Sequence, residues 1–306
     1  MPDAKALAGV SFARLRASPL ARDLWTRAPA QQPELAELMK TTGSDPLRDL
    51  EEILIAAPAG SAQQNALLLA RGAFPSARWI ELAQSRGASM ETFQGVPILT
   101  SVKDKEPMAL ALVGESLLIA GDPASVRGAI ARRDRPSRLP AEIRSQVVEL
   151  SSGYEMWFLT LAPIADLRPS APDPRMAGAL EGDLVKAIEQ ASGGARLGKG
   201  LEFVVTTLSR TEQDAAGLAN AIRFFTGMAQ GRDSGGPSVL QDIRQEGRQL
   251  RVSVSIPADQ LKRILAVVAR GRQPERPQPP PAETGVTIHS SPRDMGVVKI
   301  PGPKPQ

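Results

Sequence analysis

The chain has 306 residues and a mass of 32.5 kDa, with no cysteine, one histidine and a formal net charge of +4. This composition argues against disulfide scaffolds, thiol nucleophiles and the usual zinc-ligand sets. No apolar stretch reaches the roughly 18 residues that a membrane-spanning helix needs. Hydrophobic residues make up 42% of the chain, so we expect a globular protein with a substantial core.

The positive charge is concentrated near the C-terminus. From Arg270 onward there are six basic and three acidic residues, which leaves the preceding body with a net charge of about +1. The body therefore lacks the overall basicity that is typical of a nucleic-acid-binding module. We therefore do not expect nucleic acid as a partner.

The first half of the chain predicts alternating helices and strands. Gln94-Gly95 and Gly114-Glu115 each separate two apolar runs and predict tight hairpin turns, while Asp122-Pro123 predicts a capped helix start. Apolar runs predict strands at 7–12, 53–57, 66–71, 90–93, 96–100, 108–113 and 116–120. Helical patterns cover 15–24, 33–40 and 75–84, with a short helical turn after Asp45-Pro46.

The second half repeats this order. Strands are predicted at 154–161, 201–208, 239–245 and 250–256, and helices at 174–190, at 215–228 and after Pro257. The strand, turn, strand and helix at 108–131 match those at 239–269, with Gly114 and Pro123 corresponding to Gly247 and Pro257. These offsets of about 133 residues predict a weak internal duplication.

We therefore predict an α+β fold of two similar subdomains, each a mostly antiparallel sheet with helices packed on one face. The predicted division is 1–131 for the first subdomain, 132–149 for a basic linker and short helix, 150–271 for the second subdomain and 272–306 for the tail. Nine prolines from Gln273 to the end predict a disordered, proline-rich arm. Its apolar patches, Gly285 to Ile288 and Met295 to Ile300, flank the lone His289 and are candidates for docking.

Two motifs invite a chemical interpretation. Gly193 to Gly200 spells GxxxxGK, but glycine stands where a phosphate-binding loop needs Ser or Thr, and the motif follows a predicted helix rather than a strand. A flexible connection is the better prediction. Asp45, Asp49, Glu51 and Glu52 form the densest acidic cluster, which lacks the central glycine of a calcium loop and is typical of a solvated helix turn.

Catalytic side chains are not indicated at particular positions. The GxSxG and SxxK motifs are absent, and Lys103, two residues after Ser101, falls in a predicted charged loop. The arginine run at 132–138 lacks interleaved aromatics and favours a solubilising linker over a phosphate contact. The sequence therefore predicts no catalytic residue, no metal ligand and no cofactor, and it leaves the binding residues unknown.

Several segments carry a resemblance over most of the body. They are Met1 to Lys5 with Ala17 to Leu20, Asp45 to Asp49, Leu69 to Phe74, Gly95 to Leu99 and Ala120 to Val126. Together they resemble a group of uncharacterised bacterial proteins that are predicted to be exported and have no assigned activity. The resemblance implies that an apolar leader stands upstream of Met1, and it brings no functional residues.

The sequence favours a non-enzymatic binding or scaffolding protein at the cell envelope, with a protein partner bound through the tail or an exposed sheet edge. The first alternative is a hydrolase that uses carboxylates or serine, and the second is a nucleic-acid binder that uses the basic linker and tail. As written, the chain predicts a cytoplasmic location. An upstream signal peptide would instead predict the periplasm or envelope.

Overall fold

A computed structural model describes residues 3–31, 33–59, 66–103, 106–136, 139–167, 183–231 and 240–271. The strands are Ala6–Ser11 (β1), Leu50–Ala57 (β2), Leu67–Gly72 (β3), Ser89–Phe93 (β4), Val96–Lys103 (β5), Glu106–Val113 (β6), Leu117–Gly121 (β7), Met156–Thr160 (β8), Ile188–Leu197 (β9), Gly200–Ser209 (β10), Leu240–Glu246 (β11) and Gln249–Pro257 (β12). The helices are Phe12–Ala17 (α1), Pro19–Gln31 (α2), Pro33–Thr42 (α3), Pro46–Asp49 (α4), Ser76–Ser85 (α5), Pro123–Ile130 (α6), Ala141–Gly153 (α7), Ile164–Leu167 (α8), Asp183–Lys186 (α9), Glu212–Gly231 (α10) and Ala258–Gly271 (α11).

The twelve strands form one antiparallel sheet in the order β11-β12-β10-β9-β8-β1-β2-β3-β7-β6-β5-β4. This confirms the predicted mixture of helices and antiparallel sheet. The two halves differ from the expectation of separate sheets because β1 pairs with β8, which places Leu7 opposite Leu159 at the centre. Both side chains are buried, so the junction between the halves is part of the core.

The strand order is the same on the two sides of this central pair. Outward from the centre it is β1-β2-β3-β7-β6 on one side and β8-β9-β10-β12-β11 on the other. The hairpin of β4 and β5 extends the first series only. The duplication remains a prediction. Because the β4–β5 hairpin is added to the first series, β4 is the strand that ends this side of the sheet.

One face of the sheet, called the front face below, is covered by α6 and α7. Val126 and Ile130 of α6 pack in a buried cluster with Ala111 of β6, while α7 contributes Leu150 to the cluster around Trp157. The register joins these clusters on the same face because Leu54 and Ala56 of β2 lie opposite Leu69 and Leu67 of β3.

The opposite face, called the back face, is covered in this region by α5. Its Trp79 and Ile80 pack with Leu112 of β6, the residue next to the front-face Ala111. Successive strand residues point to opposite faces, so α5 and α6 lie on opposite sides of the sheet. The expectation of helices on one face is thereby corrected, because buried apolar residues occupy both alternating positions of β6.

Two predicted elements need correction. The helix expected at 174–190 is a strand at its end: β9 begins at Ile188, and the described helix before it, α9, covers only Asp183–Lys186. Most of the remaining prediction lies outside the described residues. Lys103 belongs to strand β5 rather than to a loop. Within the described residues, none of the helices combines the length and apolarity that crossing a membrane would require.

Candidate interaction site

The sheet ends in two edge strands, β4 and β11. Among the described strands, β4 pairs only with β5, and β11 pairs only with β12. An edge strand exposes unpaired backbone amide and carbonyl groups, which can pair with another extended chain. The chemistry of each edge therefore decides whether it can bind a partner.

The β4–β5 hairpin has a tight two-residue turn. Gln94 and Gly95 both have positive φ, at 49° and 77°, as a type I′ turn requires. Phe93 faces Val96 across this turn. In a two-residue hairpin the two residues of this closing pair hydrogen-bond to each other through their backbone groups. Hydrogen-bonded and non-hydrogen-bonded pairs therefore alternate along the ladder from this point.

The alternation fixes which backbone groups of β4 face outward. Thr92 lies opposite Pro97, which has no N–H, in agreement with a non-hydrogen-bonded pair at that position. Met90, opposite Leu99, is the next such residue. The N–H and C=O groups of Met90 and Thr92 therefore point away from β5, toward the open side of the sheet.

The side chains on this edge leave it accessible. Ser89, Met90, Glu91 and Thr92 are all exposed. Met90 is 50% exposed, and Met108 of β6 lies on the same back face with 44% exposure. Methionine adapts its shape to different partners, and Met90 gives the edge strand itself an exposed apolar side chain on the back face, whereas Met108 lies two strands further in.

The front face of β4 carries an ion pair. Arg127 of α6 donates to Glu91 Oε1 through Nε at 3.0 Å and through Nη2 at 2.6 Å. Both side chains are close to half exposed. The pair neutralises the charged side chain of β4 and holds it against α6, which removes a common obstacle to strand pairing.

The β11 edge is different. Arg244 Nε lies 2.7 Å from Asp242 Oδ2, and these two side chains and that of Glu246 are exposed. Three charged side chains at alternate positions along a short strand are typical of an edge protected against pairing. Of the two edges, β4 is therefore the better candidate for binding an extended chain.

The cavities offer a weaker site. One, of about 310 Å³, is lined by Ser11, Glu52 and Arg71, among others. Arg71 pairs with Glu51 at 3.0 Å and with Glu52 at 3.2 Å. Arg16, on the same cavity, donates to the carbonyl oxygens of Leu47 and Leu50. The charged side chains that line this cavity thus bond to one another or to the backbone. A second cavity, of about 520 Å³, lies at the sheet turns near Glu115 and Arg133.

The two motifs considered for phosphate and metal binding have structural roles. Gly193 of the GxxxxGK motif lies in β9, where an added Cβ would meet the backbone of Val204, and Gly200 begins β10. The motif is thus a strand and its turn rather than a flexible connection. Of the acidic cluster, Asp45 caps α4 by accepting from the Leu47 amide at 2.9 Å. His289 lies outside the described residues.

The shifted pKa values also belong to structural contacts. The hydrogen bond from Arg48 lowers the pKa of Asp49 below 3.8, and the same contact raises the pKa of Arg48. Partial burial acts to raise the pKa of Asp122, but hydrogen bonds from Ser125 and from backbone amides outweigh it and lower the pKa. Both aspartates stabilise helix starts or turns rather than a reactive centre.

The sequence predicts the β4–β5 hairpin but not that β4 is an edge strand. Gln94-Gly95 signals the turn through local chemistry, and Pro97 marks a strand position that needs no donor. That β4 ends the sheet follows from the order of strands distant in sequence. The local signal for an edge strand is the glutamate Glu91 beside Met90 within an otherwise strand-like segment.

Comparisons with known proteins identify no family. Neither the family models nor the curated proteins match this chain. Among solved structures, crystal form IV of TP0453 is 12% identical, with 86% of this chain and 93% of that chain covered and a TM-score of 0.48. Crystal form I of TP0453 is 14% identical, with 87% and 94% covered and a TM-score of 0.47.

Proposed function

We propose that the protein is a non-enzymatic binding protein whose edge strand β4 accepts an extended segment of a protein partner. The outward backbone groups of Met90 and Thr92 carry this proposal, because two N–H and two C=O groups are directed to the open side of a sheet edge. Main-chain hydrogen bonds then supply affinity, and side chains at alternate positions supply selectivity.

The edge also specifies the partner's side chains. Partner residues opposite Met90 and Thr92 place their side chains on the back face, where the exposed Met90 favours apolar groups. The residue between them faces Glu91 on the front face, where a basic or hydroxyl side chain interacts favourably with the carboxylate. We expect an extended segment with the pattern apolar, basic or hydroxyl, apolar.

Proline substitution at the edge tests this proposal. Thr92→Pro removes one outward N–H and keeps the inward ladder bonds of β4, because proline is tolerated on the open side of an edge strand. Ile243→Pro is the matched control, since Ile243 points its N–H outward from β11 by the same alternation. Circular dichroism checks that both variants remain folded.

The probe is a fluorescent heptapeptide in which valine and lysine alternate, and its affinity is measured by fluorescence anisotropy. The control peptide has the same composition, but its valines are grouped together. We expect Thr92→Pro to weaken binding of the alternating peptide about tenfold or more. This loss corresponds to the hydrogen bond from the Thr92 amide and the weakening of the adjacent hydrogen bonds between β4 and the peptide. Ile243→Pro leaves the affinity unchanged. Equal affinities for the wild type and Thr92→Pro, or no preference for the alternating peptide, contradict the proposal.

The envelope location belongs to the same proposal and rests on the resemblance to exported bacterial proteins. It predicts an in-frame apolar leader in the genomic sequence upstream of Met1. A stop codon followed by a ribosome-binding site immediately before Met1 would contradict it. The hydrolase alternative has less support, because Glu51 and Glu52 both pair with Arg71.

A further inference from the structure

We infer that the protein forms a symmetric dimer in which the β4 strands of two copies pair antiparallel, with Met90 opposite Met90 on the two-fold axis. This inference rests on the proposed function of β4 as an acceptor of extended segments, and it identifies one such segment as β4 of a second copy. Ser89 to Thr92 are exposed, so the edge is accessible to another chain. In a two-fold dimer a single surface has to be complementary to itself.

The outward backbone groups limit the possible registers. Met90 and Thr92 direct their N–H and C=O groups away from β5, so a second β4 strand has to place its own outward residues opposite them. The two-fold axis then passes through a residue rather than between two residues. An axis at Glu91 places Glu91 opposite Glu91, and like charges directly opposite destabilise a strand pair. An axis at Thr92 places Met90 opposite Gln94, which belongs to the turn and has a φ of 49°.

An axis at Met90 uses the outward groups more fully. The two Met90 residues then exchange both backbone hydrogen bonds, and each Thr92 N–H donates to the Ala88 carbonyl oxygen of the other copy. The Ala88 N–H takes no part, since it donates to the Ala83 carbonyl oxygen at 2.9 Å. An axis at Ser89 instead leaves Thr92 facing the turn that follows α5. The backbone therefore favours the register with Met90 on the axis.

The side chains of two β4 strands complement one another in this register. On the back face Met90, which is 50% exposed, covers Met90 of the second copy. On the front face Glu91 lies opposite Ser89, in a non-hydrogen-bonded pair whose side chains approach closely. Read in the antiparallel direction, Met90, Ser89 and Ala88 supply an apolar, a hydroxyl and an apolar residue. This is the pattern that we expect the edge to select in an external segment.

The ion pair at Glu91 leaves room for the contact with Ser89. Arg127 directs both of its hydrogen bonds to Glu91 Oε1, so Oε2 is the oxygen that accepts from the Ser89 hydroxyl of the second copy. Within its own chain this hydroxyl donates to the Thr100 carbonyl oxygen at 3.3 Å, which is long for an O–H···O hydrogen bond. A hydrogen bond to a carboxylate is shorter and stronger. We therefore expect the hydroxyl to turn toward Glu91 in the dimer.

The dimer is expected to be weak because its interface is short. Strand β4 has five residues, whereas stable interfaces bury about 1,200 to 2,000 Å² of surface. We expect a dissociation constant of about 10 to 100 µM. The dimer then forms reversibly, and an external segment that binds β4 competes with it.

Sedimentation velocity of the full chain measures the dimer at concentrations from about 5 µM to about 500 µM. The wild type is expected to shift from monomer to dimer across this range. Thr92→Pro removes one N–H donor from each copy and is expected to weaken the dimer about tenfold or more. Ile243→Pro, at the other edge of the sheet, is expected to sediment as the wild type does.

Cysteine cross-linking tests the register, since the chain has no cysteine of its own. Two Met90 residues on the axis have Cα atoms about 5.5 Å apart, within the range of a disulfide. The Cα atoms of the two Thr92 residues are about 14 Å apart in this register. Oxidation of Met90→Cys is therefore expected to give covalent dimer about tenfold or more faster than oxidation of Thr92→Cys.

Met108→Cys is the matched control for the cross-linking. Met108 is 44% exposed on the same back face as Met90 but lies on β6, two strands in from the edge. With Met90 on the axis, the two Met108 residues are about 24 Å apart across five strand intervals. This variant is expected to remain monomeric on a denaturing gel.

The other outcomes overturn the inference. A monomer at every concentration shows that β4 does not pair with itself, and a dimer that Thr92→Pro does not weaken forms elsewhere on the molecule. Equal cross-linking rates for Met90→Cys and Thr92→Cys place the axis at Glu91 instead. The peptide assay separates this failure from that of the proposed function: an alternating peptide that needs Thr92 keeps β4 as a binding edge, even when the protein is monomeric.

Discussion

At the scale of single residues, glycines permit close approach of aromatic rings to the central strands. The Trp157 ring lies where a Cβ on Gly9 of β1 would stand, and the Tyr154 ring takes the same position at Gly194 of β9. Arg196 in turn stacks over Tyr154, with its guanidinium carbon 4.6 Å from the ring centre. These contacts pack rings against the middle of the sheet, beneath the end of α7.

Replacement of Gly9 by alanine is expected to destabilise the protein. The added methyl group overlaps the buried indole of Trp157, which has to leave its position, and overpacking of this kind costs about 1 to 3 kcal/mol. Gly198→Ala is the control, since no neighbouring atom lies within 4 Å of its Cβ position. Urea unfolding followed by tryptophan fluorescence measures both, and equal stability of Gly9→Ala and the wild type would show that the site has room.

Sequence predicts glycine roles only where the cause is local. The turn at Gln94-Gly95 follows from the need for positive φ, and both residues have it. The prediction of a flexible connection at residues 193 and 194 is wrong because these glycines are required by the close approach of the Val204 backbone and of the Tyr154 ring, which are distant in sequence. Such close approaches become visible only when strand neighbours are known.

At the scale of elements, helix α6 begins as its sequence predicts. Asp122 accepts a hydrogen bond from the Ser125 amide at 2.9 Å, and Pro123 occupies the first turn. The same helix carries Arg127, which pairs with Glu91 at the candidate edge. The capping residue thus supports the helix that positions the front face of β4.

Loss of this cap is expected to reduce stability in a pH-dependent way. Asp122→Ala costs about 1 kcal/mol at pH 7 because the amide of Ser125 loses its acceptor. The pKa of Asp122 is lower in the folded state, so its charge contributes stability above the unfolded value and loses that contribution as pH falls through the folded value.

The difference between wild type and Asp122→Ala should therefore shrink below about pH 4, as measured by thermal unfolding across pH. Asp134→Ala, at a side chain that is 85% exposed, serves as the control and is expected to change stability by less than about 0.5 kcal/mol. A difference that stays constant from pH 7 to pH 2 would contradict a role for the charged carboxylate.

Most elements were predictable because their signals lie within the element. Caps, turns and alternation predict β4, β5, β6, β7 and α6, whereas the start of β9 falls in a segment for which the sequence predicts a helix. The apolar residues Leu184, Val185 and Ile188 fit helical spacing, and Gly193 and Gly194 weigh against a strand. Pairing with β8 and β10 overrides that local preference.

At the scale of the whole molecule, the pairing of β1 with β8 makes the two halves one sheet. Leu159 of β8 is fully buried in a cluster with Leu7 and Leu150. Leu159→Ala is expected to cost about 2 to 5 kcal/mol and to lower the unfolding temperature of both halves together. Val148→Ala, at a position that is 60% exposed, is the control.

Calorimetry measures this coupling. We expect a single transition whose calorimetric enthalpy equals its van't Hoff enthalpy. Two separate transitions, with only one shifted by Leu159→Ala, would show that the halves unfold as independent domains. The predicted boundary near residues 132–149 would then mark a real division in stability.

The order of the strands, and with it the position of β4 at one end, could not be predicted from local sequence. We propose that this edge binds extended chains, and the location of a bound peptide on the protein tests this directly. An alternating valine and lysine peptide that carries a nitroxide spin label is titrated into the isotope-labelled protein, and broadening of backbone amide signals is mapped. We expect the strongest broadening at Ser89 to Phe93, whereas broadening centred on Asp242 to Gln245 of β11, or spread evenly over the surface, would rule out β4 as the binding edge.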